Sequence, residues 1–415
     1  MVASNFAFAH DQWLLSGRDF TQSAIFIERV KTLDSVKLVY SIVQRQEAHR
    51  LLGAALERIP GFKPCRTDRA LPSDLGAAGW FEFTVDNLPY DFQYLILPDG
   101  YPRRVQALIQ QLKNSLRSRQ VQRSYTVLVA PWFSPDTVSV CADAGYGTLD
   151  FSGNYRLHCG SIFLERIGAP PPRAEQRHAA SIFAAKSSRV LRAVLAVPEH
   201  AWKVTELMAV TGVSAGLVSR VRRQLLEQQW VEELPGGVRL LAPEPLLAAW
   251  AQHWQGGKDE VWRGYTLLHG KALKARILKV MQRESHGQDV LASGASAAQW
   301  MAPFIRDHRE HFCVTPRGFD LLRQELELES EAAGANVLLR IVEEPDVFLD
   351  RVQPSASSWT TSPTQTYLEL MNDGERGAEA ADHLLERYLL PVIRGEVPAP
   401  SSPLREQLKS LKGSS

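Results

Sequence analysis

Three arginines within four positions, Arg220, Arg222 and Arg223, are the residues of this chain whose type and spacing point most clearly to a chemistry. Arginine presents its N–H donors in a planar fork that suits phosphate oxygens and guanine edges. Ahead of them, positions 214–216 hold Ser, Ala and Gly, and Ser219 follows. A helix that enters the major groove of DNA needs small or polar residues at its N-terminal end, where bulk would block its approach. The segment therefore predicts a DNA recognition helix.

The surrounding residues predict the elements that would hold this helix in place. Thr205 is expected to N-cap a short helix, and Gly212 to end it in the left-handed conformation that residues with a Cβ avoid. Ser214 would cap the second helix, whose apolar residues recur every three or four positions and form one inward stripe. Those residues are Leu217, Val218, Val221, Leu225 and Leu226. Apolar runs on both sides of a Pro-Gly-Gly turn at 235–237 predict a β-hairpin, which would complete a winged helix-turn-helix.

This winged helix predicts a defined set of contacts with double-stranded DNA. The residues expected to face the groove are Ser214, Ala215, Gly216, Ser219, Arg220 and Arg223. Those expected to contact the backbone are Lys203, Thr205, Arg222 and Arg239. The alternative is an ordinary amphipathic helix pair with a solvated basic face, but it does not predict this order of glycine turn, basic helix and hairpin. Because one winged helix rarely suffices for an operator, we expect a homodimer or a cooperative assembly on DNA.

The composition limits the classes of protein to consider. A chain of 415 residues predicts two or three domains, and 45% hydrophobic residues support globular folding. A net charge of +1 argues against a protein that coats nucleic acid indiscriminately, so DNA binding should depend on a local patch. Four scattered cysteines without a CxxC pair predict reduced thiols and no zinc site. The sequence shows neither a signal peptide nor an apolar run long enough for a membrane helix, so a cytoplasmic location is expected.

The order of predicted elements suggests a multidomain α/β + α architecture. Residues 1–168 predict a mixed α/β domain, with strands at 81–85, 92–97 and 125–130, helices at 41–59 and 105–116, and two short strands around a turn at 152–154. Residues 169–179 include three consecutive prolines and predict a linker. The winged helix is expected at 180–245, a second α/β domain at 246–397 and a disordered tail at 398–415.

Three longer segments carry a resemblance to a known family. Residues 127–157 contain GYGTLDFSGN, residues 205–231 contain the helix-turn-helix, and residues 361–386 begin TSPTQTYLELMNDGE. Together they resemble the AbiEi-type transcriptional regulator family, the antitoxin component of type IV toxin–antitoxin systems. The resemblance covers about residues 88–397. It implies a DNA-binding repressor, commonly of its own operon, and a toxin partner encoded nearby. It also implies a degenerate restriction-endonuclease-like (nuclease-like) α/β domain before the winged helix and a nucleotidyltransferase-like α/β domain after it.

A metal-dependent nuclease is the first enzymatic alternative. Such a site needs an acidic residue followed by an E-x-K cluster on the next strand, because two carboxylates hold the metal and the lysine polarises the phosphate. The strand at 92–97, which follows Asp86 and Asp91, has neither Glu nor Lys. Asp150 is expected to hydrogen-bond the backbone of its own turn, although folding could also bring it to Asp86 and Asp91.

A nucleotidyltransferase is the second enzymatic alternative. Residues 293–297, SGASA, form a small-residue turn of the kind that approaches a triphosphate, but no D-x-D pair follows it. We therefore expect the turn to permit close packing of a helix on a strand. His308 and His311 are expected at a solvated helix end, and the basic residues at 103–123 form a solvated face or an auxiliary DNA surface. The sequence predicts no catalytic residue, no metal and no cofactor.

Overall fold

The chain is a mixed α/β protein, as the sequence predicted. The computed structural model describes residues 33–65, 78–118, 125–172, 181–254, 256, 260–283, 287–304, 307–330, 334–342, 345–356 and 358–413. The chain forms two compact units that divide after Pro172, at the last of the three linker prolines. Residues 173–179 of the predicted linker, and Arg119 and Arg123 of the basic segment, lie outside the described residues.

The first unit is built on a seven-stranded sheet. Its helices are α1 Leu33–Leu56, α2 Pro102–Ser118 and α3 Pro135–Asp143. Its strands are β1 Phe62–Pro64, β2 Ala78–Val85, β3 Leu88–Ile96, β4 Tyr125–Ala130, β5 Gly147–Asp150, β6 Tyr155–Cys159 and β7 Ile162–Arg166. The strands follow one another in sheet order, with β3, β4 and β5 parallel and antiparallel pairs on both sides. Two strands were predicted after residue 145, and β7 is a third strand there that was not predicted.

Strand β4 shows why this sheet is covered on both faces. Successive side chains of a strand point to opposite sides, so a strand buried on both sides is a continuous apolar run. Val127 and Val129 belong to one core with Leu52 of α1, whereas Leu128 belongs to a second core with Ile109 of α2. The run YTVLVA therefore predicted its strand correctly, at 125–130.

The second unit contains the winged helix and a further seven-stranded sheet. Its helices are α4 Ala185–Ala196, α5 Val204–Thr211, α6 Ala215–Glu227, α7 Pro243–His253, α8 Gly270–Arg283, α9 Gly294–Met301, α10 Pro316–Glu325, α11 Pro363–Met371, α12 Gly374–Leu384, α13 Leu390–Ile393 and α14 Pro403–Gly413. A 3₁₀ turn spans Pro345–Phe348, and a π-helical turn spans Leu385–Leu389.

The strands of the second unit fall into two sheets. The wing consists of β8 Val231–Leu234 and β9 Gly237–Leu240. The larger sheet consists of β10 Glu260–Tyr265, β11 Val290–Ala292, β12 Glu310–Val314, β13 Glu329–Ser330, β14 Val337–Ile341, β15 Val352–Ser355 and β16 Ser358–Thr360. Its spatial order is β13-β10-β14-β12-β11-β16-β15, with both parallel and antiparallel neighbours. Helices α8 and α10 pack on one face through Ile277 and Leu322.

One hydrophobic core joins the winged helix to the helices that follow the larger sheet. Val218 and Leu225 of α6 lie in the same cluster of buried residues as Ala297 of α9, Leu368 of α11 and Leu384 of α12. The boundary predicted between residues 245 and 246 falls inside α7, whose Trp250 is buried in this shared core. The winged helix is thus part of a larger folded unit.

The end of the chain corrects the prediction of a disordered tail at 398–415. Residues Pro403–Gly413 form α14, with Leu404 only 1% exposed and Leu408 only 4% exposed. The abundance of Ser, Pro and Lys suggested disorder, but these two leucines, one helical turn apart, bury an apolar stripe in the shared core.

Candidate nucleic-acid interface

Two helices joined by a sharp turn form the centre of the candidate interface. Gly212 ends α5 with φ of 67°, the left-handed conformation that the sequence predicted. Ser214 precedes α6 with φ of −65° and ψ of 150°, so it occupies the N-cap position, although its side chain makes no capping hydrogen bond. The chain direction turns by 117° between α5 and α6. This is the geometry of a helix-turn-helix pair.

Helix α6 has one buried and one exposed face. Val218, Val221, Leu225 and Leu226 are buried, as their spacing predicted. The residues expected to face the groove are all exposed: Ser214, Ala215, Gly216, Ser219, Arg220 and Arg223. Within the described part of the chain, neither Arg220 nor Arg223 makes an ion pair. Both guanidinium groups are therefore available to an incoming anion.

The wing is fixed to the start of α5 by a backbone bridge. Trp202 and Val238 exchange two hydrogen bonds, with N···O distances of 2.7 and 3.0 Å. Gly237 makes this approach possible, because its φ is 139° and a Cβ there would lie 2.2 Å from the carbonyl oxygen of Trp202. The predicted hairpin is confirmed, and the structure adds Trp202 as a third short pairing segment.

The start of α5 differs from the prediction. Lys203, rather than Thr205, occupies the N-cap position, and the Glu206 carboxylate accepts a hydrogen bond of 2.9 Å from the Lys203 backbone N–H. His200 Nε2 lies 2.9 Å from the same carboxylate oxygen. Burial raises the pKa of Glu206, but the hydrogen bonds from Lys203 and His200 outweigh it and hold the pKa below its usual range. Thr205 and Lys203 are both exposed beside this cap.

Arg222 and Arg239 are engaged within the protein, which the sequence did not predict. Arg222 Nη2 lies 2.7 Å from Glu233 Oε1, and Arg239 Nη2 lies 2.6 Å from Glu232 Oε1. Both glutamates stand on β8 of the wing, so two of the three cations expected to contact the DNA backbone already have an anionic partner. These two arginines must exchange partners before they can contact phosphate.

A buried network of polar side chains, which was not predicted, connects α4 to the α/β region that follows the wing. Arg192, only 5% exposed, lies 3.2 Å from Asp350 Oδ1 through Nη1 and donates through Nη2 to Gln365 Oε1 at 2.5 Å. Its guanidinium also stands 5.5 Å from the ring centroid of Trp250. Gln365 donates in turn to Glu369. Asp350 and Gln365 are 158 and 173 positions from Arg192, a separation that no local pattern reveals.

Asp91 and Asp150, two of the three candidate metal carboxylates of the first unit, do not converge. Phe92 of β3 pairs with Tyr125 of β4, and Ala130 at the other end of β4 pairs with Asp150 of β5. Because all three strands are parallel, Asp91 and Asp150 stand about six residues apart along the sheet, roughly 20 Å at about 3.3 Å per residue. The prediction that Asp150 bonds within its turn is confirmed, since Asp150 Oδ1 accepts from the Asn154 backbone N–H at 2.9 Å. Burial raises the pKa of Asp150.

The small-residue turn at 293–297 is already occupied by groups of the protein. The Gly294 N–H donates to Glu369 Oε2 at 2.6 Å, and Glu369 also pairs with Arg340. Ser296 Oγ donates to Glu310 Oε2 at 2.8 Å. An internal carboxylate thus takes the amide that a triphosphate would need. Close packing at this turn, as predicted, is also observed, because residues 294–298 are all buried.

The two histidines near this turn are not at a helix end, contrary to the prediction. His308 is exposed between elements, and His311 belongs to β12. His311 Nε2 lies 2.9 Å from Asp307 Oδ2, and Arg309 also bonds Asp307. Burial raises the pKa of Asp307, but these hydrogen bonds outweigh it and hold the pKa well below its usual range.

The described part of the chain has no cluster of metal-binding side chains and no single helix that could span a membrane. There, no group of three or more His, Cys, Asp and Glu side chains could hold a metal ion. None of the cysteines Cys65, Cys141, Cys159 and Cys313 forms a disulfide. In the same residues, no single helix is long and apolar enough to cross a membrane.

Comparison with known proteins gives no match that could assign a role to the candidate interface. No family model, no curated protein and no solved structure matches this chain.

Proposed function

We propose that this chain is a transcriptional regulator that binds double-stranded DNA in a sequence-specific manner and has no catalytic activity. One observation carries the proposal: the exposed face of α6 has small or polar residues at its start and presents Arg220 and Arg223 without ion-pair partners among the described residues. An amphipathic helix that only served the core would not need two such cations beside a glycine-closed turn.

The contacts divide between bases and backbone. Ser214, Ala215, Gly216 and Ser219 let α6 approach the floor of the major groove, where Arg220 and Arg223 reach guanine edges or flanking phosphates. Lys203 and Thr205, at the start of α5, contact the phosphate backbone on one side. The wing contacts it on the other, through Arg239 and the neighbouring Arg222, once these release Glu232 and Glu233. A homodimer or cooperative pair on repeated half-sites supplies the remaining affinity.

The wider role follows the resemblance of the three sequence segments. We propose a repressor, acting in the cytoplasm on its own operon, that is the antitoxin of a type IV toxin–antitoxin system with its toxin encoded nearby. The first unit is proposed to be a degenerate nuclease-like domain, because Asp91 and Asp150 lie at opposite ends of parallel strands. The α/β region after the wing is proposed to be nucleotidyltransferase-like but inactive, because Glu369 occupies the amide of Gly294.

Substitution on α6 tests the regulator function. Arg220→Ala and Arg223→Ala should each weaken binding to the region upstream of the chain's own gene by about 1–3 kcal/mol, as measured by mobility shift. Arg323→Ala, which removes an exposed arginine of α10 in the same unit, is the matched control and should bind as the wild type does. Unchanged affinity in both α6 variants, or equal binding to random DNA at physiological salt, would contradict the proposal.

The absence of catalysis needs a separate assay. We expect the purified protein neither to cut DNA nor to transfer nucleotides in magnesium or manganese, because a divalent ion requires carboxylates that converge on it. A triple variant with Asp86, Asp91 and Asp150 replaced by Asn is the control. Metal-dependent activity that disappears in this variant would instead support the nuclease alternative.

A further inference from the structure

The last helix of the chain packs against the helix-turn-helix. Leu404 and Leu408 of α14 share a buried cluster with Leu207 and Val210 of α5. Arg405 Nη1 lies 2.7 Å from Glu199 Oε1, in the segment before α5, and Gln407 Nε2 lies 3.5 Å from the carbonyl oxygen of Ala209, in the last turn of α5. Helix α14 is therefore a fixed part of the module that carries the recognition helix.

The two polar contacts hold α14 at two places along this segment. Arg405 reaches Glu199, five residues before α5 begins, and Gln407 reaches Ala209, in the last turn of α5. Lys409 and Lys412 lie about 3 and 8 Å further along the helix than Gln407, at about 1.5 Å per residue. Both lysines are exposed.

Charge on α14 is concentrated on the face beside its leucines, about 100° around the helix, because each basic residue directly follows a leucine. Arg405, Lys409 and Lys412 follow one another at spacings of four and three residues, which places them on one face of a helix. Arg405 is neutralised by Glu199, whereas neither lysine makes an ion pair within the described part of the chain. The only acidic residue of α14, Glu406, stands in its first turn, where the helix dipole favours it.

The winged helix by itself is poor in free cations. Of the basic residues assigned to DNA, Arg222 and Arg239 are paired with glutamates of the wing, which leaves Lys203, Arg220 and Arg223. Binding to DNA at physiological salt rests on several phosphate contacts, because each contact releases condensed counterions. A nearby pair of exposed lysines on a helix fixed to the same module supplies what the wing lacks.

We propose that α14 is a second element of the DNA-binding surface, and that Lys409 and Lys412 contact backbone phosphates beside the recognition site without reading bases. This inference rests on the proposed DNA-binding function. The inference adds to that function a second DNA-contacting surface, which lies outside the winged helix and belongs to α14. The alternative is that the lysines form a solvated face with no partner.

The experiment uses the full-length chain and two labelled duplexes of equal length, one carrying the region upstream of the chain's own gene and one of random sequence. Affinity is measured by fluorescence anisotropy over a series of salt concentrations. Lys409→Ala with Lys412→Ala should make the plot of log K against log salt less steep by about 1.8, from about 0.9 for each lost phosphate contact. If purely electrostatic contacts vanish near 1 M salt, the double variant should bind both duplexes about 30-fold more weakly than the wild type at about 0.15 M salt.

Two matched variants complete the design. Lys271→Ala with Lys274→Ala removes two exposed lysines of α8 in the same unit and should leave both affinity and slope unchanged. Lys409→Arg with Lys412→Arg keeps the charge and should restore the wild-type slope. Thermal unfolding of each variant checks that the fold is intact.

The outcomes separate this inference from the proposed function. If the wild type prefers its own upstream region and depends on Arg220 and Arg223, but the α14 variant binds with unchanged affinity and slope, this inference is wrong and the regulator function stands. A loss confined to the upstream region would also overturn it, because phosphate contacts do not depend on sequence. If the wild type itself shows no preference between the duplexes, the proposed function fails first.

Discussion

Removing two negative charges from the wing should strengthen DNA binding. Glu232 and Glu233 of β8 hold Arg239 and Arg222, with N–O distances of 2.6 and 2.7 Å. In a variant with Glu232→Gln and Glu233→Gln, the side-chain shape is retained while both carboxylate charges are lost. The two guanidinium groups are then free to turn to phosphates. We expect tighter binding to DNA of any sequence, since backbone contacts carry no sequence information.

The structure sets the size of this effect. The side chains of the two pairs are 30% to 50% exposed, and exposed ion pairs contribute about 0–1 kcal/mol each to folding stability. The unfolding free energy should therefore change by less than about 2 kcal/mol for the double variant. Each freed arginine adds at most one phosphate contact, which steepens the salt dependence by about 0.9, or about 1.8 for both. If these electrostatic contacts also vanish near 1 M salt, the double variant should bind DNA at most about 30-fold more tightly than the wild type at about 0.15 M salt.

Fluorescence anisotropy with the two duplexes measures this gain, and a third ion pair offers the control. Arg394 Nη2 and Glu244 Oε1 are 2.7 Å apart in the same unit, and both side chains are about half exposed. Glu244→Gln removes an equally exposed carboxylate outside the wing and should leave binding unchanged. If the wing variant binds no better than the wild type while remaining folded, the wing arginines do not face phosphates. The backbone contacts assigned to Arg222 and Arg239 would then be wrong.

Three further changes test the structure around the interface. Arg192→Ala leaves Asp350, which is 1% exposed, without its ion-pair partner and should lower the unfolding free energy by about 3–5 kcal/mol, as measured by chemical unfolding. Arg192→Met with Asp350→Leu should recover most of this free energy, and a loss below about 1 kcal/mol for Arg192→Ala would contradict a buried pair. The pKa of Asp307 is lowered in the folded protein, so the ionised carboxylate stabilises the fold above about pH 4, and this stabilisation is lost as pH falls through the lowered pKa. Asp307→Asn should remove this pH dependence from acid unfolding curves, and identical curves for the variant and the wild type would refute the prediction. Gly237→Ala should lower the thermal stability of the wing and weaken DNA binding, because the added Cβ would lie 2.2 Å from the Trp202 carbonyl oxygen. Gly236→Ala should be tolerated, because the atom nearest to its added Cβ is 3.7 Å away.

Local patterns predicted those parts of the interface that neighbouring residues determine. Gly212 ends α5 and Val218 and Val221 are buried because a helix end and a helix face each depend on a few adjacent positions. The hairpin of the wing likewise follows from its Pro-Gly-Gly turn. The N-cap was misplaced by two residues, at Thr205 instead of Lys203, because Glu206 fixes the start of the helix by accepting a hydrogen bond from the backbone N–H of Lys203.

Contacts between distant residues could not be predicted in this way. The spacing on α6 grouped Arg220, Arg222 and Arg223 as equivalent exposed cations, yet only the fold brings Glu233 to Arg222. The same holds for Arg192 and Asp350, whose burial requires two distant segments to meet. A local signal in the C-terminal segment was missed. Leu404 and Leu408, one helical turn apart, indicated an amphipathic helix in a tail whose composition suggested disorder.

The shared core links α6 to the remainder of the second unit. Arg192 stands on α4, the first helix of the winged module, and its partners Asp350 and Gln365 belong to the region of the larger sheet. Gln365 and Gly294 meet at Glu369, so the turn that would hold a triphosphate in an enzyme is connected to α4 by hydrogen bonds between buried or half-buried groups. A carboxylate fixed at that turn stabilises the helix N-terminus by itself, because its charge complements the helix dipole and accepts the free amide. The α/β region is therefore fixed to α4 through these hydrogen bonds, and this is the rigid support that the proposed DNA binding would need.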